Sequence, residues 1–315
     1  MSSQQPGPSG ERLASWLLLL VALGACALLV WRAKGHAPRP EPSFDLLSVV
    51  PPGPELLVTA DVSALSPSVA AELASAGGGA LLGLREQCGF EPLLALRRVA
   101  FAMPFGNEPG DGASDFALIA ETTLEPEPVL ACAETVIRRR GGRPARSNLG
   151  PFTSVRDQSK PVGEVAIRAD GLFVLSGGRY FRDVLDAANG AASGDEVARL
   201  RSQAHLAVRR KLGPNQLTVT MLVGPRFPLP GVRAFGFALN VARELSLRGF
   251  VSCYSRAGCG EAHNFLERLK TDAAKEPGMA GLEQSRVVMN DAELELAARL
   301  PREQLGPLLQ QLLAP

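Results

Sequence analysis

The sequence predicts an α+β body behind one membrane-spanning helix. Three observations carry that expectation. Leu13 to Trp31 is a run of nineteen uncharged residues bounded by Arg12 and Arg32. The rest of the chain alternates short apolar strands with amphipathic helices, and the order of those elements occurs twice. The expected architecture is an N-terminal transmembrane helix followed by two related lobes of mainly antiparallel sheet, with helices on one face. The boundaries are a polar N-terminus over 1–12, the anchor over 13–31, a Pro-rich linker over 32–54, and lobes over 55–190 and 191–315.

At about 1.5 Å per residue, the apolar run just spans a hydrocarbon core of roughly 30 Å. Trp16 and Trp31 fall near its ends, at headgroup level. An uncleaved signal anchor is the favoured fate, because the apolar run continues unbroken to Arg32. Cleavage after Ala25-Cys26-Ala27 fits the small-x-small rule, and Leu23-Gly24-Ala25-Cys26 matches a lipidation box. Cleavage would leave Leu28 to Trp31 exposed, and the residues after a lipidated Cys are usually polar, whereas here they are Ala-Leu-Leu-Val-Trp. Orientation has arguments on both sides. Arg32, Lys34 and Arg39 would hold the C-terminal side in the cytoplasm, whereas the export-like layout and paired-looking cysteines favour an extracytoplasmic body.

Pro at 38, 40, 42, 51, 52 and 54 makes the next segment a semi-rigid spacer, with the Leu46–Val50 patch docking onto the body. In the first lobe, Leu56–Ala60 reads as a strand and 66–87 as a helix loosened by Gly77-Gly78-Gly79. Val99–Met103 and Phe116–Ala120 are strands around a turn-rich loop. Pro126–Arg140 is a helix with proline in its first turn and Gly141-Gly142 stopping it. A strand near Thr153–Arg156 precedes Val165–Arg168 and Leu172–Leu175, joined by the hairpin signal Asp170-Gly171. Tyr180–Ala188 closes the lobe as a helix.

The second lobe repeats that order with a shortened start. A helix over 195–212 leads into Leu217–Val223, then Phe235–Val241 and Leu245–Cys253, and a helix over Gly260–Ala274. Val287–Met289 and Leu294–Ala298 match the earlier hairpin, with Asp291-Ala292 at the turn, and Arg302–Leu313 matches the closing helix. AELELAARL also reads as a helix. Residue identity between the lobes is low, so the match is one of pattern. Two sheets or one merged sheet would satisfy it.

Outside the anchor stand Cys88, Cys132, Cys253 and Cys259, which allow three pairings. None makes a CxxC, and His36, His205 and His263 do not join them at zinc spacing. The short loop Tyr-Ser-Arg-Ala-Gly favours Cys253–Cys259 and hence Cys88–Cys132. The alternative is four buried thiols acting as small apolar groups.

The 33 basic and 32 acidic residues nearly cancel. Four of the basic and one of the acidic lie within residues 1–40, so the body is slightly acidic, which argues against nucleic acid. Arg97-Arg98, Arg138-Arg139-Arg140 and Arg209-Arg210-Lys211 read as helix-end or surface cations. No G-x-S-x-G, HExxH, P-loop or GxGxxG occurs. His205 reads as a polar-face residue of an Arg-rich helix and His263 as an incidental helix residue. Ser176-Gly177-Gly178-Arg179, between a strand and a helix, is the nearest approach to a phosphate cradle. The run Glu121 to Glu127 reads as acidic complement to a helix start. No catalytic, cofactor-binding or metal-binding residues are assigned.

The phrases VPPGPELLVTADVSAL, CGFEPLLALRRVAFAM, DFALIAETT and SGGRYFRDVLDAANG, between Pro51 and Asn189, resemble single-pass envelope proteins of GC-rich delta-group bacteria such as myxobacteria. The resemblance implies export and an α+β body. It assigns no activity and no functional residue. The functional expectation is a binding, scaffold or sensor module at the bacterial envelope, held in the inner membrane through residues 13–31 with a periplasmic body and an envelope protein partner. The alternative is an envelope hydrolase with scattered active-site residues. No cofactor is expected.

Overall fold

A computed structural model describes residues 44–65, 86–90, 95–104, 115–159, 163–191, 196–223, 231–242, 244–273 and 284–304. All belong to one compact unit, Phe44–Pro315. The expected anchor over 13–31, most of the helix over 66–87 and most of the closing helix over 302–313 lie outside the described residues. Among those described, no helix is long and apolar enough to cross a membrane.

Twelve strands form one antiparallel sheet: β1 (Leu56–Asp61), β2 (Leu96–Met103), β3 (Phe116–Thr122), β4 (Pro144–Leu149), β5 (Phe152–Asp157), β6 (Glu164–Arg168), β7 (Leu172–Gly177), β8 (Leu217–Leu222), β9 (Val232–Val241), β10 (Glu244–Cys253), β11 (Arg286–Asn290) and β12 (Glu293–Pro301). They lie side by side in the order β11-β12-β10-β9-β8-β1-β2-β3-β7-β6-β5-β4. Both expected lobes therefore share one sheet, joined where β1 pairs with β8, Leu57 opposite Thr220 and Thr59 opposite Thr218. The AELELAARL segment is strand β12. The strand β4 has no apolar alternation in PARSNL, which is why the sequence does not announce it.

Among the described residues, four helices pack on this sheet: α1 (Pro126–Arg139), α2 (Tyr180–Ala188), α3 (Glu196–Leu212) and α4 (Arg256–Ala273). They cover both faces, which corrects the expectation of helices on one face. On the first face, Tyr180, Val184 and Leu185 of α2 meet Ile119, Leu172 and Val174, together with Leu46 and Val49 of a 3-10 helix (Leu46–Val49). Ala100, Ala102 and Ala117 keep that floor low enough for the 3-10 turn to lie flat. The register from Leu57 to Thr220 to Gly236 places Val208 and Leu212 of α3, with Ala234, Ala238 and Phe250, on the same face. On the opposite face, Val129 and Leu130 of α1 pack on Val155 and Ile167, and α4 packs through Cys259, Ala262 and Leu266 on Phe235, Val251 and Leu294. The physical reason is visible in β7, where Leu172-Phe173-Val174-Leu175 is apolar on consecutive residues. Such a strand needs cover on both sides.

Residues 44–54, read from sequence as spacer, are part of the body. Phe44 packs against the core, and the Arg168 guanidinium lies between the Phe44 and Phe152 rings, 5.4 and 5.5 Å from their centroids. The same side chain holds both oxygens of Asp170 and donates to the Ala188 carbonyl. One cation thus ties the entering chain to β5, the β6–β7 turn and the end of α2.

Two disulfides staple the helices to their surroundings. Cys88 pairs with Cys132 on α1 (Cα–Cα 4.9 Å), and Cys253 at the end of β10 pairs with Cys259 on α4 (Cα–Cα 5.5 Å). The α4 start also passes backbone to backbone over Gly231, whose φ is +94°. A Cβ on Gly258 would lie 2.8 Å from the Gly231 Cα. Helix α4 begins at Arg256, one turn earlier than its apolar pattern suggests, because this docking extends it.

The two bridges close loops of very different length, 44 and 6 residues apart in sequence. Chain-entropy reasoning assigns about 4 kcal/mol to the long loop and about 2 kcal/mol to the short one. Replacing Cys88 and Cys132 by Ala should therefore lower unfolding stability in urea more than replacing Cys253 and Cys259. Equal losses would show that native-state packing outweighs loop closure.

Candidate functional site at the central seam

The β1–β8 seam carries small polar side chains on the first face, Thr59, Thr218 and Thr220, where neighbouring strand pairs carry alkyl groups. Helix α3 crosses above it. Residues 205, 208 and 212 share the buried face of α3, spaced by one helical turn and by two. His205 is therefore fully buried, at 1 % exposure, rather than on the polar side as the sequence suggested. The Val208 and Leu212 spacing was the signal that could have placed it there.

His205 is held at both ring nitrogens. Nδ1 lies 2.7 Å from Thr220 Oγ1, and Nε2 lies 2.9 Å from the Pro54 carbonyl oxygen. A carbonyl only accepts, so Nε2 carries the proton and the Thr220 hydroxyl donates to Nδ1 in the neutral ring. Burial lowers the His205 pKa below its ordinary value. The Pro54 hydrogen bond opposes that shift, and the neighbouring Arg209 charge adds to it. Arg209 reaches down from the same helix to the Thr59 hydroxyl. Burial also lowers its pKa, against the field of Asp45. One turn before His205, Arg201 donates to the Gly53 carbonyl (3.5 Å) and pairs with Glu55 (3.5 Å). Three side chains of α3 thereby fasten Gly53 to Thr59 against β8.

A hydroxyl donating to an imidazole that is oriented by a third group is the arrangement of an activated nucleophile. Here Thr220 and His205 are sealed, at 0 and 1 % exposure, so no substrate carbonyl can reach them. The arrangement is a structural clasp.

The phosphate-cradle candidate is filled from within. Asp115 accepts from the Arg179 backbone N–H at 3.0 Å and pairs with its Nε at 2.7 Å. A Cβ on Gly178 would lie 2.0 Å from Asp115 Oδ1. The start of α2 thus binds an anion, as its dipole favours, and the anion is the chain's own carboxylate. Beside it, burial pushes the Tyr180 hydroxyl up to about 12. Burial likewise raises Asp183.

The acidic run divides in a way its spacing does not reveal. Glu121 is buried in β3 and pairs with Arg98 at 2.7 Å and Arg97 at 3.4 Å, beside a bulge between Leu96 and Arg98. Glu127 alone of the run's ion-paired carboxylates sits in the first turn of α1, where Arg146 of β4 grips both its oxygens at 2.8 Å and also binds Glu134. Those hydrogen bonds hold both glutamates below the usual carboxylate range. Arg138 and Arg139 close α1 and Arg209 to Lys211 close α3, as expected of helix-end cations, whereas Arg97 and Arg98 open a strand. Among the described residues, no three His, Cys, Asp or Glu side chains converge as a metal site would require.

No family model matches this chain, and no curated protein matches it. Solved structures do resemble it. Crystal form III of TP0453 superposes with a TM-score of 0.54 at 12 % identity, covering 85 % of this chain and 99 % of that one. Crystal forms I and IV superpose at 0.50 with 14 and 13 % identity, covering 86 and 85 % of this chain and 98 and 97 % of theirs. At such identity the likeness is one of fold, and it spans nearly the whole of the other protein.

The clasp makes a pH prediction. An unfolded imidazole gains its proton near pH 6.5, and the buried one only at lower pH. Between those values the unfolded state binds more protons, so the stability contributed by neutral His205 is complete above about pH 6.5 and is lost as pH falls. Carboxylates with depressed pKa values (Glu127, Glu134, and Asp170, which Arg168 lowers against the effect of burial) act only below about pH 4.5. The melting temperature should therefore drop between pH 7 and 5, and His205→Gln should flatten that drop while lowering stability throughout. An equally steep drop in His205→Gln would assign the titration elsewhere.

Proposed function

We propose that this chain is a membrane-anchored, extracytoplasmic protein of the bacterial envelope that acts by binding, as a scaffold, sensor or assembly partner. The observation that carries the reading is the pair of disulfides, Cys88–Cys132 and Cys253–Cys259. Such bridges persist in oxidising compartments and are rare in a reducing cytosol. They agree with an uncharged run of membrane-spanning length at residues 13–31 and outweigh the basic flank at Arg32, Lys34 and Arg39.

Binding is favoured over catalysis by how the polar groups are used. The Thr220–His205 pair is sealed, Asp115 occupies the start of α2, and Arg97 and Arg98 neutralise Glu121. Each of these three groups is committed to holding elements together. A twelve-stranded sheet covered on both faces offers a rigid plate instead.

A C-terminal fusion to a phosphatase that folds only outside the cytoplasm tests the compartment. Enzymatic activity in intact cells is expected. An inactive fusion that is full-length and membrane-bound would overturn the reading and leave the basic flank in control of orientation.

A further inference from the structure

We propose that the groove where α3 ends above β10, β12 and β11 binds a phosphate monoester with a hydroxyl-bearing body. This goes beyond the envelope reading and holds in either compartment. Three observations carry it: two arginines without partners, the hollow between them, and one carboxylate beside that hollow.

The groove has a volume of about 400 Å³, within the range of small-molecule sites. Lys211 and Leu212 at the end of α3 form one wall. Two neighbouring rows of the sheet form the floor. In the first row Arg248 stands opposite Ala297, and Ala297 opposite Arg286. In the second, Phe250 stands opposite Glu295, and Glu295 opposite Val288. All six side chains are on the first face, because α4 packs on the alternate residues Val251 and Leu294. Strand spacing sets the two arginine Cα atoms about 10 Å apart. Ala297 leaves only a methyl group between them.

Neighbouring cations are already engaged. Lys211 pairs with Glu293 at 2.7 Å and rests its ammonium 5.4 Å from the Phe250 ring centre. Arg299, further along β12, pairs with Glu244 at 3.7 Å. Arg248 and Arg286 have no side-chain ion pair or hydrogen bond among the described residues. The negative end of the α3 dipole does not require them, since Arg209, Arg210 and Lys211 already occupy its last turn.

Two unanswered guanidinium charges beside one hollow call for a ligand with close to two negative charges. A phosphate monoester near pH 7 has them, together with three acceptor oxygens. Each guanidinium grips a pair of oxygens. A carboxylate, with one charge and two oxygens, satisfies a single fork. Glu295 stands in the next row, and an ionised carboxylate only accepts hydrogen bonds. It would repel a second acidic group and hold a donor. The body attached to the phosphate therefore carries a hydroxyl, and Phe250 and Val288 give its carbon skeleton apolar surface.

The test is calorimetric titration of the full chain in detergent and phosphate-free buffer, with glycerol 3-phosphate and inorganic phosphate as probes. One saturable site is expected, tighter for glycerol 3-phosphate. Arg248→Gln with Arg286→Gln should weaken it at least about tenfold, because a lost hydrogen bond to a charged group costs that much. Arg286→Lys should also weaken it, since an ammonium cannot grip two oxygens in a fork. Arg139→Gln with Arg140→Gln removes the same charge from the exposed end of α1 and should leave affinity unchanged. Glu295→Ala should keep inorganic phosphate binding and abolish the preference for glycerol 3-phosphate. No saturable binding, or equal losses in the two double-arginine variants, would overturn the proposal. So would tighter binding of dihexanoylphosphatidic acid, whose glycerol hydroxyls are esterified, because it would assign the arginines to a lipid headgroup.

Discussion

The pairing of Leu56–Ala60 with Leu217–Met221 is the contact on which the remaining architecture depends, because it alone makes one sheet out of strands from both ends of the chain. Its backbone ladder is reinforced by side chains of α3. The Arg209–Thr59 bond crosses the junction from above, and His205 spans from Thr220 of one strand to the carbonyl of Pro54, two residues before the other. These bonds are buried or half-buried, where a neutral hydrogen bond is stronger than in water and an unmade one is costly. The threonines suit the position twice over, since they favour strands and their hydroxyls give α3 something to grip.

Continuity of the sheet also sets where the helices go. Twelve strands with apolar side chains on both surfaces cannot be protected by one layer. Helices α2 and α3 take one surface and α1 and α4 the other, each crossing from the strand that precedes or follows it in the chain. The charged side chains then fasten helices to strands at the rims, through Arg146 to α1, Arg168 to the end of α2 and Lys211 to β12. Such exposed pairs contribute little energy individually. Their value is in fixing angle and register.

Most elements were legible in the residue pattern. Proline at the start and Gly141-Gly142 beyond the end delimit α1, and Asp170-Gly171 marks the β6–β7 turn. In the corresponding β11–β12 turn, Asp291 takes a positive φ of 53° without a glycine. What escaped the sequence was long-range. Nothing in PARSNL marks a strand, because β4 is an edge held by β5 and by Arg146 rather than by its own apolar alternation. The depth of His205 depends on which face of α3 meets the seam, and the filling of the α2 start depends on Asp115, 64 residues before Arg179. Local spacing predicts elements; it does not report which polar group from a distant segment will satisfy them.

The seam has a consequence for how the chain reaches its fold. Strand β1 can pair with β2 as soon as the first half emerges, but its other edge stays open until β8 has been made some 150 residues later. An unpaired central strand is a template for the wrong partner, and contacts of such long sequence separation close slowly. During that interval a second copy of β1 or a foreign strand could occupy the position reserved for Leu217–Leu222. The alternation of Val58 and Ala60 with Leu57 and Thr59 gives that edge no charge to repel a visitor before Asp61. The order of the strands thus makes the time between completing the two halves the interval in which mispairing competes with folding.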